Sequence, residues 1–351
     1  MSPSQATKQS VMQKDLIAIK KNLFAIPHSK FTQWAREIYR YQLKNTAVFN
    51  NWTRHVQAVT PDKGQYISEN ETLFNPREFT FLPIEFFKTH SVLNSQCKVL
   101  EATFESSGTR NHIRSKHMVY DLSIYEQSFT QGFEMQYGRI EQYCVIGLLP
   151  SYIEREGSSL IYMVDKMIQK GKPKSGFYLD QYHDLAKIID SNEKNEIPTL
   201  LFGVAFSLLS MAEIIQNRLW TRTIIMETGG MKGRGNELTR NELHRILSTS
   251  FGCKNIHSEY GMTEMLSQAY APKEGIFFGP PWMKIVIQDP VDFRTFLSPG
   301  KTGRICVIDL ANIHSCSFIA TDDLGRVWED GSFEMLGRID FTDLRGCNQL
   351  I

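Results

Sequence analysis

The feature that most constrains the fold is an alternation. Short apolar runs, "KVLEATF" (98–104), "YCVIGLLP" (143–150), "TLLFGVAF" (199–206) and "TIIMETGG" (223–230), are separated by stretches with helical spacing. Such alternation argues for βαβ units, and so for an α/β core with a largely parallel sheet. The intervening stretches carry their own punctuation. In "SSLIYMVDKMI" Ser158 or Ser159 can cap a helix, and in "TRNELHRILSTSFG" Thr239 can open one and Gly252 close it. The apolar run 198–212 is too short to span a bilayer comfortably and is broken by Gly203, Ser207 and Ser210, so it reads as a buried strand running into a helix.

Outside this core the pattern changes. From Lys14 to about Lys44 apolar residues recur at helical spacing with a break at Pro27, which predicts a helical lead. From Gly275 onward, "WMKIVIQD", "GRICVIDL" and "SFEMLGRID" alternate with Gly and Pro turns, which predicts a smaller β-rich subdomain. The expected organisation is a lead over 1–95 packed on the core, an α/β core over 96–274, and a β-rich subdomain with a mobile tail over 275–351.

Composition narrows the class of partner. The 351 residues are 42% hydrophobic, enough for a large core, and 39 Lys and Arg against 38 Asp and Glu leave a net charge of +1. That balance offers no electrostatic footprint for nucleic acid. The polar first residues lack the apolar region of a signal peptide, and the six cysteines (97, 144, 253, 306, 316 and 347) form no CxxC pair. A cytoplasmic enzyme with no membrane span is expected, with no cysteine-bound metal.

Several motifs then offer chemistry. In "FESSGTRNHIRSKH", Ser106, Ser107 and Thr109 bring hydroxyls, Gly108 permits close backbone approach, and Arg114 and Lys116 follow with charge, a combination that suits phosphate oxygens and also an ordinary polar turn. "METGGMKGRG" puts Gly229 and Gly230 at the carboxyl end of a strand, where ligands bind in open α/β sheets. "HSEYGMTEM" supplies an aromatic platform in Tyr260, room at Gly261, a hydroxyl at Thr263 and a carboxylate for a hard cation at Glu264. "IATDDLGRV" presents Asp322 and Asp323, suited to a ribose diol, and "LGRIDFTDLRG" adds Arg338 and Asp340. "SPGKTGR" (298–304) imitates the tail of a Walker A loop, but Thr295 stands where the first glycine belongs and a strand follows, so it reads as a hairpin turn.

Taken in order from about residue 95 to the end, these blocks resemble the adenylate-forming superfamily of acyl and aryl ligases. "LLPSYIEREGSSLIYMV", "TGGMKGR" and "GRIDFTDLRGCNQLI" further resemble the LuxE-type acyl-protein synthetases. The resemblance implies the fold of the family's N-terminal domain without the usual C-terminal lid domain, since eleven residues follow Asp340. It implies ATP and Mg²⁺ as cofactors, a fatty acid as substrate, and an NADPH-dependent acyl reductase as partner. Ser106, Ser107, Gly108 and Thr109 would then hold phosphates with Arg114 or Lys116; Thr263 would touch the α-phosphate and Glu264 position Mg²⁺. Tyr260 would stack on adenine beside Gly229 and Gly230, next to Gly261, and Asp323, or else Asp322, would take the ribose with help from Arg338. Cys347 would accept the acyl group as a thioester, with Arg338 and Arg345 favouring its thiolate. Two departures mark the sequence: Arg110 and Asn111 replace a Thr and a Gly of the usual phosphate loop, and Thr-Asp-Asp (321–323) replaces Thr-Gly-Asp. Rival readings are a ligase that passes the acyl group to coenzyme A and a non-catalytic nucleotide-binding subunit.

Overall fold

The computed structural model describes residues 18–59, 74–107, 113–149, 157–179, 181–229 and 238–339. The lead breaks at Pro27, which is extended, and continues as two amphipathic helices, α1 (Phe31–Asn45) and α2 (Ala47–Val59). Their apolar stripes pack on the rest of the chain, with Phe31, Ala35, Ile38 and Phe49 buried. A two-residue strand, β1 (Leu82–Pro83), precedes a hairpin of β2 (Ala102–Glu105) and β3 (Lys116–Val119), which leads into α3 (Leu122–Tyr137).

The alternating part follows as β4 (Cys144–Leu148), α4 (Ser159–Lys170), β5 (Gly176–Phe177), α5 (Tyr182–Lys194), β6 (Thr199–Val204), α6 (Ala205–Ile214), β7 (Thr223–Thr228), α7 (Arg240–Phe251) and β8 (His257–Tyr260). With β9 (Ala269–Ala271) these strands form one sheet in the order β5-β4-β6-β7-β8-β9, parallel except for the last pair. Both faces are covered, which is why β4 and β6 are buried at every position. Period-two alternation divides them: Cys144, Ile146 and Leu148 join Leu185, Leu208 and Leu247 of α5, α6 and α7, whereas Val145, Leu200 and Phe202 join Phe129 and Phe133 of α3.

The expected helix ends are present. Ser158 accepts from the Ile161 amide, and Thr239 makes a full capping box with Glu242. Gly252 takes φ +61°, and a Cβ there would collide with the Arg218 carbonyl, so glycine is required twice over. The run 198–212 is a strand that becomes a helix at Ala205. No helix among the described residues is long and apolar enough to cross a membrane.

The remaining strands, β10 (Ile276–Phe277), β11 (Met283–Gln288), β12 (Gly303–Asp309), β13 (Phe318–Val327) and β14 (Phe333–Arg338), form a second, antiparallel sheet in the order β10-β14-β13-β12-β11, with β1 added beside β13. The segment 298–304 runs from a turn at Gly300 into β12 and not into a helix. One expectation is corrected. The run 98–104 does not enter the parallel sheet; its first residues are exposed, Val99 at 72%, and its end pairs antiparallel with β3 across the serine turn. The run carries Lys98 and Glu101, charges that a strand buried on both faces does not accommodate, and a partner only eleven residues away was available for a hairpin.

Candidate active site

The carboxyl ends of β7 and β8 form the floor of the site. Thr228 and Glu259 are cross-strand partners, and the Thr228 hydroxyl donates to the Glu259 carboxyl. Burial pushes Glu259 up to about 7, the neighbouring Glu227 carboxylate adding to the effect. Glu227, one residue before Thr228, is buried too, but His244 (3.6 Å) and Arg240 (3.5 Å) outweigh its desolvation and hold it below the usual carboxylate range. Adjacent buried carboxyls are thus shifted in opposite directions. Gly229 closes β7 at φ +80°, where bare backbone turns away from the sheet. Gly261 follows β8; a Cβ there would strike the Glu259 carboxylate and come within 3.3 Å of Gln268.

The second sheet supplies one wall. Tyr260 is 6% exposed, wedged by the rings of Phe277 (5.9 Å) and Phe333 (5.4 Å), and its hydroxyl donates to Asp323 Oδ2 at 2.9 Å. Asp323 pairs across β13 and β14 with Arg338, whose Nε lies 3.6 Å from Oδ1. Asp322 sits beside Glu85; burial raises its carboxyl to about 7, with the Glu85 carboxyl adding to the rise. Strand alternation therefore separates the preferred acid from its alternative, and only Asp323 meets Tyr260.

The hairpin joins the site through His117, which meets the Thr263 carbonyl. The Ser106 amide donates to the Ser115 carbonyl and the Ser115 amide to the Ser106 hydroxyl, both at 3.0 Å, which closes the base of the serine turn. Arg114 Nη1 (3.5 Å) and Lys116 Nζ (3.3 Å) flank the Glu105 carboxylate. Ser107 is described at the turn's edge, whereas Gly108, Thr109, Gly230 and Cys347 lie outside the described residues.

The segment after Gly261 carries the next two candidates. Thr263 is half-buried and Glu264 buried. Their carbonyls are gripped from below: His117 Nδ1 lies 2.8 Å from the Thr263 oxygen, and Asn312 Nδ2 donates to the Glu264 oxygen at 2.7 Å. His117 Nε2 in turn lies 3.0 Å from Asn312 Oδ1. Further along, buried Asp309 accepts from the amides of Leu266 and Ser267 and from the Ser267 hydroxyl. Sequence reasoning missed His117, Asn312, Asp309, Glu227 and Glu259, because nothing local to them signals a partner so distant in the chain. Four other cysteines are buried and Cys97 is half-buried.

The donor set can be tested against a metal. Among the described residues no group of three or more His, Cys, Asp or Glu side chains is placed to hold one. A single carboxylate such as Glu264 fits Mg²⁺ that arrives on phosphates and keeps its waters, the usual mode for that ion.

No protein-family model and no curated protein matches the sequence. Solved structures do match, and they define the fold as that of the N-terminal domain of the adenylate-forming enzymes. ATP-bound MatB from Rhodopseudomonas palustris is 20% identical with a TM-score of 0.51, over 69% of this chain and 48% of MatB. A double mutant of o-succinylbenzoate CoA synthetase (MenE) from Bacillus subtilis, bound with its product analogue, is 20% identical with a TM-score of 0.50, over 70% of this chain and 50% of MenE. The chain spans about half the length of the solved proteins it matches.

Proposed function

We propose that this chain activates a fatty acid with ATP and passes the acyl group to a cysteine thiol, as an acyl-protein synthetase. The observation that carries the reading is a chain of contacts at the carboxyl ends of β7 and β8: Tyr260 bonds Asp323, which Arg338 meets, and the Thr263 carbonyl just beyond is bonded by His117 of the hairpin that also bears Ser106, Ser107, Arg114 and Lys116. In an open α/β sheet that is where a nucleotide belongs.

Each group then has a task. Asp323 accepts the ribose hydroxyls, Arg338 standing by, while Tyr260 and the glycines 229, 230 and 261 flank the base. Ser106, Ser107, Gly108 and Thr109 hold the β and γ phosphates with Arg114 and Lys116; Thr263 meets the α-phosphate, and Glu264 would hold Mg²⁺, which would supply charge neutralisation. A carboxylate oxygen of the acid attacks the α-phosphorus, the bond to the bridging oxygen breaks, and pyrophosphate leaves with its electrons. The Cys347 thiolate then attacks the acyl carbonyl and AMP departs, leaving a thioester. That thioester suits delivery to an NADPH-dependent acyl reductase. A cytoplasmic setting agrees with free thiols.

Intact-protein mass spectrometry after incubation with ATP, Mg²⁺ and fatty acids of several lengths tests the reading. An acyl-sized, ATP-dependent gain that neutral hydroxylamine removes and Cys347→Ala abolishes is expected. AMP release only on addition of coenzyme A would instead favour the ligase reading, which the similarity to a CoA synthetase motivates.

A further inference from the structure

The two loops assigned to the phosphates come from parts of the chain that share no strand pairing. The serine turn belongs to the β2–β3 hairpin, and the Thr263–Glu264 segment follows β8 of the parallel sheet. For both to meet one triphosphate, something must fix the distance between them.

β3 provides the link. Its alternation sends Lys116 to the surface and His117 inward, where the ring is 1% exposed and meets the edge of Phe87 at 5.7 Å. His117 is thus covalently part of the hairpin and, through the Thr263 carbonyl, bonded to the opposite loop 146 residues away. Asn312 completes the arrangement from a third direction. It ends the 3-10 turn Leu310–Asn312, which Asp309 caps through the Ala311 amide, and the same Asp309 takes the Leu266 and Ser267 amides. The segment 263–267 is held at four backbone groups, two carbonyls by the His117–Asn312 pair and two amides by Asp309.

We propose that His117 and Asn312 are positioning residues that fix Thr263 and Glu264 relative to the serine turn. The inference rests on the adenylation reading of the site. Neither side chain need touch a substrate: a reacting group displaced by about 1 Å can lose about 100-fold in rate.

The test uses the full chain with fatty acid, ATP and Mg²⁺, following ATP–pyrophosphate exchange and, separately, amide hydrogen exchange over 261–267. His117→Phe keeps an aromatic ring against Phe87 and removes both polar links. It should lower kcat about 10- to 100-fold while KM for the acid stays within about twofold, because the loss falls on alignment and not on acid binding. Amide exchange over 263–267 should quicken, and His117→Gln, whose amide can still donate to the Thr263 carbonyl, should recover part of the rate. Combined with Asn312→Leu, which removes the donor to Glu264 without adding charge, His117→Phe should cost little more than the worse single change, since both act through one segment. Should His117→Phe not fold, Asn312→Leu alone carries the same comparison.

A folded variant with kcat within about twofold of the parent and unchanged amide exchange would overturn the inference, as would fully multiplicative losses in the double variant. If the parent itself exchanges no pyrophosphate with any acid, the adenylation reading fails on its own. The amide exchange then still judges the clamp: quickened in the variants it stands, unchanged it falls.

Discussion

Glu259→Gln isolates a single buried ionisation. In the folded chain burial holds this carboxyl protonated to about pH 7, against an ordinary value of 4.5, with the Thr228 hydroxyl bond opposing the rise and the Glu227 carboxylate adding to it. Below pH 4.5 the group is protonated whether the chain is folded or unfolded and affects stability little. As pH climbs from 4.5 to 7 the unfolded chain releases the proton and the folded chain keeps it, so the folded state loses stability through that window. The difference between 4.5 and about 7, at about 1.4 kcal/mol per pH unit, comes to about 3 kcal/mol. Glutamine keeps an oxygen for Thr228 and cannot ionise. Denaturant unfolding of both proteins should therefore show the variant gaining about 3 kcal/mol on the parent between about pH 4.5 and pH 8. Stability curves that run parallel across that range, or a parent that gains on the variant, would refute the assignment of a neutral carboxyl beneath Gly261.

Other changes probe other parts. Tyr260→Phe removes a buried hydroxyl bonded to a carboxylate and should cost about 1.5–3 kcal/mol in chemical denaturation, along with a weaker ATP affinity by calorimetry because Asp323 is left unsteadied. Gly252→Ala should destabilise by more than about 1 kcal/mol, since the left-handed turn and the Arg218 carbonyl both exclude a Cβ; a neutral result in thermal melting would contradict the cap geometry. Arg36→Met removes both donors that meet the half-buried Glu78 carboxylate, at 2.6 and 2.8 Å, and should cost about 1.5–3 kcal/mol in chemical denaturation; an unchanged midpoint would contradict the pair.

What the sequence made legible was local. Thr239 and Gly252 announce a helix because the capping atoms lie within one turn, and "TLLFGVAF" announces a buried strand because both faces must be apolar. The hairpin was harder, because its serine turn reads equally as a ligand loop and as a connection, and in the structure Ser106 closes the turn through its own hydroxyl. Least legible were the His117–Asn312 pair, 195 residues apart, and the opposite fates of Glu227 and Glu259. Those depend on which strands become neighbours and on which carboxyl finds a cation, and no window of residues carries that information.

Glu105 has a consequence for what the hairpin can accept. Arg114 and Lys116 both face its carboxylate, so an incoming anion meets cations that already have a rival. A singly charged anion offers those cations little that Glu105 does not. A polyanion can engage them while its remaining charges reach the serine turn, and the carboxylate then turns from occupant to counterweight. On the adenylation reading, the hairpin would favour a triphosphate over a singly charged anion.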